Sequence, residues 1–305
     1  MPASRSAGES GGGSSELPPP QRLTPSALRA LAARHGIRPK KSLGQHFLIE
    51  PALAERITAL AGVGPDSRVL EIGAGLGSLT QALARTGAEV VAVEFDRSLV
   101  PALEEVVSGH PGVRVVIEDA MKADWGSVLK GPGPWVVVAN LPYNVAVPVV
   151  MRLLEEEPRI DRFLVMVQRE VGERLAAGPG DEQYGAVSVR VAYRAQSRVV
   201  RRVARSVFWP QPNVDSVLVG LTRRPPPVDV EELALWELVD QAFAQRRKTM
   251  RNALVRLGLD PPRAASVLVE CGIEPNARAE QLGLPEFACV ATAWRRLART
   301  GVGGT

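Results

Sequence analysis

From Arg68 onward the chain alternates short apolar runs with longer amphipathic stretches. The runs RVLEIG, EVVAVE, VRVVIE, WVVVAN and RFLVMVQ are almost unbroken in Val, Leu and Ile. Strands half exposed to water would alternate apolar and polar residues, so these runs predict strands buried on both faces, as in a parallel sheet. Between them, SLTQALARTG and RSLVPALEEVVSG space their apolar residues as a helix does and end at glycine. Strand and helix in turn predict a doubly wound α/β domain. Two later runs, SVRVAYRAQ and DSVLVGLTR, are β-rich with no helical pattern between them. They are expected to form an antiparallel edge pair, giving a mostly parallel sheet of seven strands.

The flanks differ. Residues 1–21 are rich in Ser, Gly and Pro (ESGGGSSELPPPQ) and carry too little apolar surface to offset the entropy of ordering, which predicts a disordered tail. Leu23 to His35 has the pattern of a short helix opened by Thr24-Pro25. RRPPPVD is a linker signal, and after it the chain is helically periodic with no strand pattern. The expected organisation is therefore a tail (1–21), an α/β domain (22–225) and a small all-helical domain (229–300).

Composition adds limits. At 45% hydrophobic and 23% charged, the 305 residues can bury a sizeable core. Lys and Arg number 37 against 33 Asp and Glu, a net charge of +4 that permits a nucleic-acid partner without requiring one. No apolar run approaches the roughly 20 residues of a membrane helix, so no membrane partner is expected. The two cysteines, Cys271 and Cys289, form no CxxC pair and have no neighbouring His. Neither a metal site nor a disulfide is expected from that spacing, and a reducing cytoplasm fits.

The first strand runs into Glu71-Ile72-Gly73-Ala74-Gly75-Leu76-Gly77-Ser78. Glycines there allow a tight turn and a close approach of backbone to ligand. A nicotinamide enzyme would carry G-x-G-x-x-G, whereas here the third glycine comes one residue early and Ser78 stands in the sixth place. The second strand ends in Glu94, placed to accept hydrogen bonds from ribose hydroxyls, and Asp119 ends the third, placed to meet an adenine amino group. Three such signals at neighbouring strand ends predict a nucleoside-bearing cofactor.

The fourth strand ends in Asn140-Leu141-Pro142-Tyr143. An aromatic amine is a poor nucleophile because its lone pair is delocalised into the ring. Two acceptors holding its two N–H protons localise that pair, and the Asn140 side-chain oxygen and the Leu141 carbonyl are the candidates. Pro142 fixes the local backbone and removes a competing donor. Tyr143 offers a ring to stack on a base, and Phe208, before the last strand, is the candidate for the other face.

Taken together, KKSLGQHFL, VLEIGAGLGSLT, AVEFD, EDA, NLPY, VQREV, YGAVSV, FWPQPNVDSVL and QRRKTMRNAL resemble the small-subunit ribosomal RNA adenine-N6 dimethyltransferase family, from about Arg38 to Arg299. The resemblance implies a class I methyltransferase domain that uses S-adenosyl-L-methionine. It also implies transfer of two methyl groups to each of two adjacent adenosines in a hairpin near the 3′ end of small-subunit rRNA. Cofactor contacts would fall to His46, Leu48, Gly73, Gly75, Glu94, Asp119 and Asn140, and the catalytic pocket to Asn140, Leu141, Pro142, Tyr143 and Phe208. Many bacterial members carry Asn where this chain has His46, and either side chain can donate a hydrogen bond. The erythromycin-resistance methyltransferases of large-subunit rRNA look similar in the first half; VQREV, YGAVSV and QRRKTMRNAL favour the small-subunit family. An assembly factor without catalysis, and a DNA or small-molecule methyltransferase, are the remaining readings.

Basic residues cluster at Arg38/Lys40/Lys41, at Arg198/Arg201/Arg202/Arg205 and at Arg246/Arg247/Lys248/Arg251. The last cluster, in the helical domain, is expected to grip RNA phosphates. A monomer that engages the pre-30S particle is the expected working form.

Overall fold

The computed structural model describes residues 22–245 and 247–301. The expected tail (1–21) and Arg246 lie outside the described residues. The first half runs α1 (Pro25–Arg34), β1 (Phe47–Leu48), α2 (Pro51–Ala61), β2 (Arg68–Ile72), α3 (Ser78–Ala84), β3 (Glu89–Glu94), α4 (Val100–Val107), β4 (Val113–Ile117), α5 (Trp125–Val128) and β5 (Trp135–Asn140). Next come α6 (Ala146–Glu156), β6 (Ile160–Gln168), α7 (Arg169–Ala176), α8 (Ala186–Arg194), β7 (Ala195–Val203), β8 (Phe208–Trp209) and β9 (Ser216–Arg223). Helices α9 (Glu232–Phe243), α10 (Met250–Arg256), α11 (Pro261–Glu270) and α12 (Leu284–Gly301) complete the described chain.

Seven strands form one sheet in the order β4-β3-β2-β5-β6-β9-β7. β2 to β6 run parallel, and β9 is antiparallel to both its neighbours, β6 and β7, so that β7 runs in the same direction as β6. The unbroken apolar runs are buried as their composition demands: Val69, Leu70, Val90, Val137, Val138 and Val165 are fully covered. On one face Val149, Val150, Leu153 and Leu154 of α6 pack over Val137, Phe163 and Val165. On the other, Ile57 of α2 with Leu79 and Leu83 of α3 pack over Val69, Val138 and Met166. Each such side chain contributes about 1.5–3 kcal/mol on burial. The chain moves from β2 to β3 on one side and reaches β5 on the other, so the strand order reverses at β2. Open α/β sheets bind ligands outside the carboxyl ends of the strands at such a point.

Helix α1 opens as expected, with the Thr24 hydroxyl accepting from the Ala27 N–H. One expectation fails at SVRVAYRAQ, read as a strand. Residues through Arg194 are helix α8, and the edge strand β7 is AQSRVVRRV instead. The β-branched residues favour a strand locally, yet Val189 and Tyr193, four apart on one helix face, are buried with Leu235 and Leu238 of α9. Packing overrides propensity there.

The four C-terminal helices enclose their own core, including Leu235, Leu254, Leu268 and Phe287. The cysteine expectation is also corrected. Cys271, at the end of α11, and Cys289, in α12, are joined as a disulfide with their Cα atoms 5.9 Å apart. Helix packing brings them together, and their separation of 18 residues carries no sign of it.

Candidate active site

The glycine turn after β2 is set by close approach. Gly73 has φ +75°, and a Cβ on it would lie 3.3 Å from Pro142 Cδ and 3.5 Å from the Asn140 carbonyl. Gly75 has φ +59°, and its Cβ would lie 3.1 Å from the Phe47 ring. Only glycine adopts this conformation without strain and leaves room for both neighbours. The turn thereby sits against the end of β5 on one side and β1 on the other.

A cavity of about 290 Å³ opens there, at the lower end of small-molecule sites. Among its lining residues are His46, Leu48, Glu71, Gly73, Gly75, Glu94, Asp119, Asn140, Leu141, Pro142 and Tyr143. The sequence candidates from five separate segments are thus brought together. Phe208 does not line it: the ring is buried beside Leu48 and Val203, in a strand paired with β1. The exposed Arg247 and Lys248 lie between α9 and α10 and the exposed Arg251 in the first turn of α10, and none of the three lines the cavity.

Glu94 is buried at the end of β3 and braces the turn. One oxygen accepts from the Gly75 N–H and the other from the Asp96 N–H, each at 2.8 Å. Burial pushes its carboxyl above the usual range, and those backbone donors oppose the shift. Asp119 is more open, accepting from the Met121 N–H at 2.9 Å.

Asn140 is oriented by a backbone group. Its Nδ2 donates to the His46 carbonyl at 3.0 Å. A carbonyl can only accept, so the amide nitrogen must face it and Oδ1 is left to accept from elsewhere. The next acceptor is beside it: no backbone N–H among the described residues donates to the Leu141 carbonyl. Tyr143 is held by its hydroxyl, 2.8 Å from Ser216 Oγ, and its ring lies 5.3 Å from the His46 ring at 30°. His46 is itself fixed, with Nδ1 2.7 Å from the Pro210 carbonyl, so that nitrogen carries the proton.

Three parts of the site were not found by sequence reasoning. Glu71 is almost wholly buried in β2, and its Oε2 has no partner among the described residues. Burial, with the Glu94 charge adding to it, pushes this carboxyl up to about 8. The signal was an acid inside an otherwise apolar strand. The second part is a latch: Lys40 Nζ donates to both Asp96 oxygens at 2.9 and 2.8 Å, and Gln45 Nε2 donates at 2.8 Å. Burial works to raise the Asp96 pKa, but the bonds from Lys40, Ser98 and Gln45 outweigh it and hold it at about 2. The latch ties the segment leading into Gln45, His46 and Phe47 across the cavity. The third is Ser216, which anchors Tyr143 from β9.

The donor set suits S-adenosylmethionine. Glu71 offers an unpartnered buried oxygen to a cationic group, Glu94 and Asp119 offer acceptors at strand ends, and the Phe95 ring is 58% exposed at the mouth.

Residues 36–292 match the family described as ribosomal RNA adenine dimethylase. The protein called ribosomal RNA small subunit methyltransferase A in Thermobifida fusca (strain YX) is 48% identical over 275 residues, covering 88% of this chain and 95% of that one. Its namesake in Streptomyces griseus is 46% identical over 284 residues, covering 91% and 97%. A dimethyladenosine transferase from Plasmodium falciparum shares the fold, with a TM-score of 0.71 at 24% identity over 83% of this chain and 98% of its own. The 23S rRNA methyltransferase ErmE superposes with a TM-score of 0.64 at 27% identity, covering 82% and 99%.

Proposed function

The chain belongs to the ribosomal RNA adenine dimethylase family, and from that premise we propose how its own residues carry out the reaction. It is an rRNA adenine-N6 dimethyltransferase. The small-subunit RNA is its substrate, as the names of its nearly full-length relatives indicate. The target is two adjacent adenosines in a hairpin near the 3′ end, each extruded from its stack into the cavity.

S-adenosylmethionine, when bound, supplies an electrophilic methyl group on a sulfonium sulfur. Gly73 and Gly75 give it backbone access, and Glu94, Asp119, His46 and Leu48 hold it from the surrounding strand ends and the latched segment. Tyr143 stacks on the adenine, with its ring fixed by Ser216. Asn140 Oδ1 and the Leu141 carbonyl accept the two N6 protons and turn the nitrogen lone pair out of conjugation. As the new C–N bond forms, the methyl–sulfur bond breaks and its electron pair leaves with the sulfur as a neutral thioether; N6 becomes an acidic ammonium whose extra proton passes to water, so no strong base is required. After the first transfer one N–H remains, and a single acceptor suffices to aim the second. Phe208 takes the second face of the base only if its ring leaves the packing against Leu48.

The observation that carries this reading is the Asn140 amide, turned by the His46 carbonyl so that its oxygen faces away from that bond, beside a Leu141 carbonyl to which no backbone N–H among the described residues donates. Arg247, Lys248 and Arg251 are exposed and, with Arg246, make a phosphate grip on the helical part. Among the described residues no helix is long and apolar enough to cross a membrane. A monomer working in the cytoplasm on pre-30S particles fits the substrate.

The test is methyl transfer from labelled S-adenosylmethionine to unmodified small subunits, with large subunits and DNA as controls and the products digested to nucleosides. N6,N6-dimethyladenosine from the small-subunit RNA is expected. Label confined to large-subunit RNA would instead place the chain with ErmE.

A further inference from the structure

Positive charge on this chain is concentrated where it is not cancelled. Between Glu182 and Asp215 there are six arginines and no acid. Two of the six are neutralised by α9: Arg190 pairs with Asp240 at 2.9 Å and Arg194 with Glu232 at 2.7 Å. Arg205 is held in place by a bond to the Asn213 carbonyl, next to Asp215. The remaining three, Arg198, Arg201 and Arg202, are exposed on β7, and their side chains have no hydrogen bond or ion pair among the described residues. The helix packed on this strand, α7, does not supply the missing acids. Its Glu170 and Glu173 pair with its own Arg174 and Arg169.

The position of the strand gives the charge a direction. β7 is the outer edge of the seven-stranded sheet. A register shift between Val199 and Arg201 puts a bulge in it, and both Arg201 and Arg202 are exposed beyond that bulge. Its last residue, Val203, stands opposite Ser216, and Ser216 is the residue that holds the Tyr143 hydroxyl. The arginines therefore follow the sheet edge toward the catalytic corner, Arg198 and Arg201 on one face, opposite Gly220 and Leu218, and Arg202 on the other, opposite Val217. Because of the bulge, Arg198 and Arg202 stand opposite residues three apart, Gly220 and Val217, so this stretch of edge covers roughly 10 Å at about 3.3 Å per residue, a length over which a nucleic-acid strand presents more than one phosphate.

We propose that the β7 edge is a second RNA-binding surface, on which Arg198, Arg201 and Arg202 hold the phosphates of the rRNA strand leading to the adenine in the cavity. This rests on the reading of the protein as an rRNA methyltransferase and adds where the substrate backbone runs. Charged residues and bulges also protect edge strands from pairing with other chains. That role needs a charge of either sign, and one or two residues serve it. Three arginines of one sign, uncancelled where α9 cancels their neighbours and ending beside Tyr143, fit a polyanion better. Guanidinium groups also bind phosphate oxygens in a two-pronged geometry.

The experiment compares the full chain with the triple variant Arg198→Gln/Arg201→Gln/Arg202→Gln, and with the charge-preserving Arg→Lys triple. Binding to unmodified small subunits is measured from low to moderate salt, alongside S-adenosylmethionine affinity and oligomeric state. The Gln triple is expected to flatten the slope of log affinity against log salt by about 2 to 3, at 0.7–0.9 per lost phosphate contact. Cofactor affinity stays unchanged, and the Lys triple recovers most of the slope. An unchanged slope overturns the proposal, and self-association of the Gln triple alongside it would assign the arginines to guarding the edge. If the parent chain itself fails to bind or methylate small subunits, the rRNA reading falls first and this proposal with it.

Discussion

Asn140 is useful because its nitrogen is already engaged. Bonded to the His46 carbonyl, the amide cannot turn its N–H₂ toward the base, and its oxygen stays an acceptor for N6. Asn140→Ala is expected to lower kcat/KM for methyl transfer by roughly 10²–10³, the usual size for losing one preorganised polar contact, with cofactor affinity falling less. A rate within a fewfold of the parent would count against lone-pair control. Glu71 gives a second prediction. Its ordinary pKa of 4.5 is pushed up to about 8, mainly by burial. Between those values the folded chain keeps a proton that the unfolded chain has released, so stability falls as pH rises through the interval. Glu71→Gln cannot ionise and should melt higher than the parent near pH 9, by an amount corresponding to up to a few kcal/mol, with the gap closing near pH 5. A gap of equal size at both pH values would show that Glu71 does not titrate this way. The glycines, Glu94, Asp119 and Asn140 were legible in the sequence because each follows its own strand at a recognisable spacing. Lys40 and Gln45 on Asp96, and Ser216 on Tyr143, join residues 51 to 73 positions apart, and only the fold brings them together.

Helix α7 shows how tightly an element can be seated. Gly172 faces β9, and a Cβ there would lie 2.1 Å from Val217 Cγ2 and 2.9 Å from Val219 Cγ2. Both valines are β-branched and fully buried, so neither can swing aside. Gly172→Ala gains about 1 kcal/mol of helix propensity, yet it forces α7 off the sheet. Overpacking typically costs about 1–3 kcal/mol, so a net loss is expected in urea unfolding. A stabilised variant would mean that α7 rides free of β9. The buried parallel strands were legible because unbroken Val/Leu/Ile runs have few other homes. Helix α8 was not, since VSVRVAY carries strand composition and strand alternation alike. The contacts that make it a helix, Tyr193 edge-on to Trp236 at 5.1 Å and Arg190 over the same ring at 4.8 Å, come from α9, more than forty residues downstream.

Those same contacts bear on how the whole molecule behaves. The sequence marks a linker at RRPPPVD, which suggests two units that fold apart. In the structure α8, which enters before the last two strands of the sheet, supplies Val189 and Tyr193 to the core of the C-terminal helices. The Tyr184 hydroxyl donates to the Leu282 carbonyl at 2.8 Å, and two arginines of α8 pair with acids of α9. The other side of α8 packs on the sheet, where Val191 lies in the core with Val217 and Val219. A helix buried on both sides transmits stability between them. A ligand confined to the sheet-end cavity should therefore stabilise helices that it never touches. With S-adenosylhomocysteine, the demethylated cofactor, at about 100 times its Kd, mass action adds about 2.7 kcal/mol to whatever unfolds together with the site. Amide hydrogen exchange is expected to show that increment in the slowest-exchanging amides of α10 and α11 as well as in β2 and β5. If protection rises in the strands alone, the helical part opens independently, and α8 would be a contact between two units rather than the helix that makes them one.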